Sequence, residues 1–118
     1  MVIVPTGFHH ITLRVRDLSR ARAFYEGVLG LAVDQDFPGE KLRLRIGDGD
    51  RLVLRPPLPG TAAGDQFSER RIGLDHVAIG VASRTELDQL VQALREHGVN
   101  ADLHHDPLGP AWSASRPG

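Results

Sequence analysis

Two histidines stand at equivalent points of a repeated pattern. His10 opens the segment HITLRV (10–15) and His76 opens HVAIGV (76–81), and an amphipathic helix pattern follows each copy. Imidazole nitrogens bind divalent metals and exchange protons near neutral pH. The repeat therefore indicates a metal or polar site with His10 and His76 as candidate ligands. The alternative is that both are hydrogen-bonded histidines that hold no ligand.

Strand periodicity predicts which way the neighbouring side chains point. Apolar and polar residues alternate through 10–15, which is typical of a half-buried strand. The apolar members should pack under the following helix, leaving the opposite face to His10, Thr12 and Arg14, and to His76 and Ala78 in the second copy. On that face Arg14 could bind a carboxylate through its planar guanidinium. Alternatively, it is a solvated side chain at the mouth of a cavity.

The remaining pattern predicts the order β-α-β-β-β in the first half of the chain. A helix capped by Ser19 or Asp17 ends at Gly30, and the Gly-Asp-Gly sequence at 47–49 predicts a hairpin. The strands are expected near 32–35, 41–46 and 51–55. In the second half the pattern predicts a strand over 76–81, a helix over 85–97 capped by Ser83 or Thr85, and strands over 99–104 and 111–115.

Composition favours a cytosolic small-molecule protein. The 118 residues suffice for one domain, and the net charge of −1 with arginines scattered along the sequence argues against nucleic acid or a membrane as partner. There is no cysteine, and the N-terminus does not resemble a signal peptide. We therefore expect a cytoplasmic protein.

Three motifs together resemble one superfamily. They are HITLRVRDL (10–18), Phe24-Tyr25 followed by Leu29-Gly30-Leu31, and GLDHVA (73–78). In order and spacing they resemble the vicinal oxygen chelate superfamily, which includes glyoxalases, bleomycin-resistance proteins and extradiol dioxygenases. The resemblance implies an α+β fold in which two βαβββ modules form a half-open barrel. The single domain, 1–118, would comprise module one at about 7–56, a linker at about 57–71 and module two at about 72–118, with the last strand of module two missing or truncated.

The same resemblance implies a divalent metal such as Fe, Zn, Mn or Ni. His10 and His76 match the family's two strand-one ligands. The carboxylate expected at the end of strand four falls on Val53, and the matching one in module two falls after Gly118. A third ligand would have to come from His104, His105, Asp106 or a partner chain, so we expect metal to be weakly bound or absent.

A small-molecule ligand would lie among Thr12, Arg14, Val53, Arg55, Ala78 and Trp112. Trp112 could stack on a flat ligand or be buried. The basic run Lys41, Arg43, Arg45, Arg51, Arg55 is interpreted as the solvated or cavity-mouth face of a hairpin. No catalytic residue is assigned.

Three functions fit this sequence. The first is a metal-dependent lyase, isomerase or ring-cleaving dioxygenase acting on a substrate with vicinal oxygens. The second is a metal-free protein that binds or sequesters a small molecule or drug, as bleomycin-resistance proteins do. The third is a truncated, inactive relative. A homodimer is expected, because the strand at 111–115 would otherwise expose unpaired backbone groups.

Overall fold

The first half of the chain folds as the predicted β-α-β-β-β module. The computed structural model describes residues 2–105 and 112–115, with side chains described through residue 103. Contacts divide the chain into two compact units, Met1–Ala78 and Ile79–Gly118. The first unit contains β1 (His10–Arg14), α1 (Leu18–Arg22) continuing as a π-helical segment (Ala23–Val28), β2 (Val33–Phe37), β3 (Lys41–Ile46) and β4 (Asp50–Arg55).

These strands form one mixed sheet with the order β1-β4-β3-β2. β1 runs parallel to β4, whereas β3 is antiparallel to both β4 and β2. The β3–β4 hairpin turns at Gly47, whose φ of 66° is a conformation that glycine adopts without steric cost. The hairpin fixes the register in which Leu42 lies opposite Leu54 and Leu44 opposite Leu52.

Four leucines make up the core of this unit. Leu42, Leu44, Leu52 and Leu54 are at most 3% exposed. Since each lies on the same face of the central hairpin, they form a continuous apolar layer, and burying each side chain contributes about 1.5–3 kcal/mol. The partly buried residues that pack against this layer come from β1, the helix and the flanking strands: Ile11, Leu13, Val15, Leu18, Ala21, Tyr25, Leu31, Val33 and Ile46.

The helix is held over this layer by a cap at each end. Asp17 is the N-cap, and its Oδ1 accepts a hydrogen bond from the Arg20 backbone N–H at 3.1 Å. At the other end Leu29 donates to the Phe24 carbonyl and Gly30, with φ of 74°, donates to the Glu26 carbonyl. Of the two predicted N-caps, Asp17 is therefore the one used.

The second unit contains one helix and a two-stranded sheet. α2 (Arg84–Glu96) begins after Ser83, whose Oγ accepts from the Glu86 backbone N–H at 3.2 Å, and Glu86 accepts from the Ala82 N–H at 2.9 Å. The first bond satisfies a donor that the first turn leaves unpaired, and the second ties the residue before the N-cap to the helix. β5 (Asp102–His105) pairs antiparallel with β6 (Trp112–Ser115). The predicted helix and both strands are present, with boundaries shifted by one to three residues.

One predicted strand is absent. The segment 76–81 is not a strand in the structure, and every residue from 76 to 81 is exposed. The alternation of apolar residues is real, with Val77, Ile79 and Val81 from 37% to 45% exposed. A strand also needs a partner for its backbone groups, and the described residues supply none here. The alternation of side chains is compatible with a strand, but it carries no information about the pairing that a strand requires.

Stability should depend on the leucine layer. Leu44→Ala should lower the free energy of unfolding by about 2–5 kcal/mol, because it removes a fully buried side chain and leaves a cavity. Leu58→Ala, at a position 58% exposed, should change it by less than about 0.5 kcal/mol. Urea denaturation followed by circular dichroism measures both, and equal losses would contradict this assignment of the core.

Candidate functional site

The face of the four-stranded sheet opposite the helix collects most of the predicted site residues. In the parallel β1–β4 register, His10 lies beside Arg51, Thr12 beside Val53 and Arg14 beside Arg55. Their side chains point away from the leucine layer, since strand side chains alternate between faces. We call this surface the open face. Its residues, strand by strand, are His10, Thr12 and Arg14 of β1, Arg51, Val53 and Arg55 of β4, Lys41, Arg43 and Arg45 of β3, and Asp34, Gln35 and Phe37 of β2.

Six cations lie on the open face. On β3, Arg43 pairs with Val53 of β4 and Arg45 pairs with Arg51. The six cations are Lys41, Arg43 and Arg45 of β3, Arg51 and Arg55 of β4, and Arg14 of β1. Five of these cations are the ones interpreted from the sequence as the solvated or cavity-mouth face of a hairpin, and they do share one face. The interpretation that the arginines are scattered is corrected, because Arg14 of β1 joins them there. Residues distant in sequence converge because the hairpin places its two basic strands in register and β1 adds a third.

Asp34 is the carboxylate of this surface, and sequence reasoning missed it. Its Oδ2 accepts from Arg43 Nε at 2.7 Å and from Arg51 Nε at 2.9 Å, and its Oδ1 lies 3.6 Å from Arg45 Nη2. The β2–β3 register shifts between Val33 and Gln35, so Asp34 occupies an irregular position in the strand. Residue periodicity did not predict this position. Hydrogen bonds from Arg43, then Arg51, lower the pKa of the Asp34 carboxyl. We call Asp34 with Arg43, Arg45 and Arg51 the Asp34 cluster.

Val53 occupies the middle of the open face but offers little surface. It is 7% exposed, although its side chain points away from the leucine layer. Thr12 lies beside it on β1 and Arg43 on β3. The centre of the face is therefore an apolar floor flanked by polar and charged side chains, and a ligand would contact mainly the flanking groups.

The two histidines each contact a neighbour in the sequence. His10 Nδ1 lies 2.8 Å from His9 Nδ1, so that one ring donates the hydrogen bond and the other accepts it. His76 Nδ1 lies 2.6 Å from Asp75 Oδ1, and the His76 side chain is 76% exposed. The neighbouring His9 is thus the group that contacts the His10 ring.

The remaining predicted site residues are less well defined. Ala78 is exposed and belongs to no strand. Trp112 begins β6, and His104 and His105 end β5, but their side chains lie outside the description, as does Asp106 altogether. The roles predicted for these residues stay predictions.

The described side chains do not fit a divalent metal. Within residues 2–103 no three His, Asp or Glu side chains are grouped closely enough to hold an ion. The strand-four position that would carry a carboxylate is Val53, and the carboxylate that does lie on the sheet, Asp34, is already bound by arginines. The surrounding cations would also repel a metal ion at the position of His10.

A concavity lies on the helix side of the sheet. It has a volume of about 390 Å³ and lies between the start of α1 and the β2–β3 turn, lined by Asp17, Leu18, Ser19, Arg22, Asp36, Pro38, Gly39 and Leu42. None of these is a predicted site residue.

No helix in the part of the chain that the structure describes combines the length and apolar character needed to cross a membrane.

The Asp34 cluster should make stability depend on pH. Because its pKa is lowered in the folded protein, Asp34 stabilises the fold above the pKa of about 3.8 that an unperturbed carboxyl has, and this contribution is lost as pH falls through the folded-state pKa. Asp34→Asn should therefore lower the urea midpoint at pH 7, and its difference from the unsubstituted protein should shrink at acid pH.

The matched control is Asp36→Asn. Asp36 pairs with Arg22 at 2.6 Å, but both side chains are about 40% exposed, so the loss at pH 7 should be smaller. If Asp34→Asn destabilises no more than Asp36→Asn at pH 7, the Asp34 cluster does not contribute as described.

Comparison with known proteins identifies the family. The sequence matches the Glyoxalase/Bleomycin resistance protein/Dioxygenase superfamily over residues 7–114. A crystal structure of a glyoxylase/bleomycin resistance protein/dioxygenase domain from Frankia sp. EAN1pec is 30% identical, with a TM-score of 0.77, and the match covers 92% of this chain and 86% of that one. No curated protein matches the sequence at a significant level.

More distant structures share the fold. A glyoxalase/dioxygenase from Nostoc punctiforme is 24% identical with a TM-score of 0.68, covering 91% of this chain and 81% of that one. Lactoylglutathione lyase from Agrobacterium tumefaciens is 21% identical with a TM-score of 0.64, covering 93% and 84%. The predicted glyoxalase/bleomycin resistance-like fold class is confirmed, and the chain belongs to the glyoxalase/bleomycin resistance protein/dioxygenase superfamily.

Proposed function

We propose that this protein binds a small molecule on the open face without a tightly held metal. The observation that carries the proposal is the composition of that face. His10, Thr12, Arg14 and Arg55 flank Val53, so a valine bordered by hydrogen-bond donors and cations stands where a metal-dependent relative would carry a carboxylate. A few polar groups around an apolar floor are typical of small-molecule sites.

The chemistry of this set favours binding over metal-assisted catalysis. Guanidinium and hydroxyl groups recognise oxygen atoms of a ligand by donating hydrogen bonds. General acid–base chemistry needs a side chain that can donate and accept a proton, and His10 is the imidazole of the open face. If His10 Nδ1 donates in its 2.8 Å contact with His9, the neutral ring presents Nε2 to a ligand as an acceptor; if Nδ1 accepts, Nε2 carries the hydrogen and donates.

The second candidate is the metal-dependent enzyme: a lyase, isomerase or dioxygenase acting on vicinal oxygens. Two observations favour it, namely the position of His10 on the ligand-facing side of β1 and membership of the superfamily. It requires at least one further ligand to the metal from side chains outside residues 2–103 or from a second chain. Metal analysis separates the two candidates directly.

Metal retention is expected to be low. The protein, purified without chelator and dialysed, should contain far less than one equivalent of zinc, iron, manganese or nickel by mass spectrometry, because two separate imidazoles are too few ligands for firm retention. Near-stoichiometric metal that is lost in His10→Ala or His76→Ala would instead support the enzyme. Arg70→Ala, on the exposed connector, serves as the control variant.

We further propose that the protein forms a homodimer through the segment 76–81. Val77, Ile79 and Val81 occupy alternating positions of an exposed segment that belongs to no strand and has no strand partner among the described residues. Exposed apolar side chains on an unpaired segment form a surface that proteins usually cover. A second copy of the chain would supply both the backbone partner and the apolar contact.

The dimer should be sensitive to charge at this segment. Ile79→Asp should shift the protein toward monomer in sedimentation velocity at micromolar concentration, because it places a carboxylate in the apolar contact. Leu58→Asp, which introduces the same charge at an exposed apolar position of the linker, should leave the association unchanged. A protein that is monomeric without any substitution would contradict the proposal.

A further inference from the structure

Three cations form a row across one end of the open face. Arg14 on β1 lies beside Arg55 on β4, and Lys41 precedes Leu42, the partner of Leu54, so it adjoins Arg55 from β3. Adjacent strands lie about 4.8 Å apart. We call Arg14, Arg55 and Lys41 the cationic row.

Each side chain of the cationic row makes a neutral contact or is partly buried, but none is paired with a carboxylate among the described residues. Arg14 Nη1 donates to the Pro56 carbonyl at 2.9 Å, which fixes one nitrogen of the guanidinium and leaves the others available. Lys41 Nζ lies 5.0 Å from the centre of the Phe37 ring, a cation–π contact. Arg55 is half-buried. Among the described residues none of the three takes part in an ion pair.

The Asp34 cluster at the other end provides an internal comparison. There the chain places a carboxylate among three arginines at 2.7, 2.9 and 3.6 Å, so the repulsion between neighbouring guanidiniums is compensated inside the molecule. Like charges on directly adjacent strand positions destabilise a sheet. The repulsion between the members of the cationic row destabilises the sheet in this way, and no carboxylate among the described side chains compensates it.

We propose that the cationic row binds an oxyanion group, a carboxylate or a phosphate, of the ligand that occupies the open face. The inference rests on the proposed function and specifies the chemical class of its ligand. Arg14 and Arg55 would present two guanidiniums in parallel and Lys41 a third charge, an arrangement suited to one anionic head group. The remainder of the ligand would extend toward Thr12 and the floor at Val53, two residues along each strand.

The test uses inorganic phosphate, sulfate and malonate as probes of the full chain. Each is exchanged for chloride at constant ionic strength, so that specific binding is separated from general screening. Thermal unfolding should show a saturable rise in midpoint with at least one of the probes, and malonate against phosphate distinguishes a carboxylate from a phosphate preference. Glycerol at the same concentrations is the neutral control.

Substitutions then assign the effect to the row. Arg55→Gln should weaken the apparent affinity for the effective probe at least tenfold, while its midpoint without the probe should be unchanged or higher because like-charge repulsion is relieved. Arg14→Gln, at an exposed position, gives a second variant should the first fold poorly. Arg20→Gln, on α1 at the other side of the sheet, removes the same charge and should leave the affinity unchanged.

Two results would overturn the proposal: equal probe effects in Arg55→Gln, Arg14→Gln and Arg20→Gln, or no saturable effect of any probe. Tight binding of a single-stranded oligonucleotide through the same residues, far stronger than that of phosphate, would also overturn it, because the cationic row would then be part of a nucleic-acid surface. Failure of the proposed metal-free function can be told apart from failure of the oxyanion site. Stoichiometric metal together with anion binding that depends on Arg55 would refute the metal-free function but support the oxyanion site.

Discussion

The alternation of side chains in the β3–β4 hairpin is the constraint on which the rest of this structure depends. Leu42 and Leu44 face one way and Lys41, Arg43 and Arg45 the other, and the in-register β4 repeats the arrangement with Leu52 and Leu54. A shift of one residue in this pairing would exchange the two faces. It would place arginines beneath the helix, where their desolvation would be prohibitive. The leucine layer thus stabilises the fold and also determines where the cations lie.

A consequence of this coupling is that the site is built on rigid elements. The open-face cations on β1, β3 and β4 sit beside fully buried leucines, so their backbones cannot move without disturbing the core. Only the ends of the side chains are adjustable, and hydrogen bonds fix several of these, as at Asp34 and at Pro56. Binding would therefore require little reorganisation of the sheet, which reduces its entropic cost.

The sequence predicted what depends on periodicity and on local caps. The faces of β1, the hairpin turn at 47–49 and a pair of candidate N-caps for each helix follow from residue types at short spacing, and the structure uses Asp17 and Ser83 from these pairs. It could not predict Asp34, because the irregularity in β2 depends on pairing with β3. Nor could it predict that 76–81 lacks a strand partner, since periodicity describes one segment and pairing requires two. Periodicity did predict a shared face for the cations of the hairpin, but not that Arg14 of β1 lies beside Arg55, since this too depends on strand pairing.

The separation of charge on this small protein also affects how it behaves near its isoelectric point. The net charge is −1 and the sequence pI is about 6.6, values that suggest an almost neutral molecule. Six cations nevertheless share one face of the sheet with a single carboxylate, so the excess negative charge lies elsewhere on the chain. The first unit therefore presents a positively charged face although the whole chain is slightly negative. Through this face the protein would be retained on a cation exchanger at pH values where its net charge predicts no retention, and the same face would attract anionic solutes.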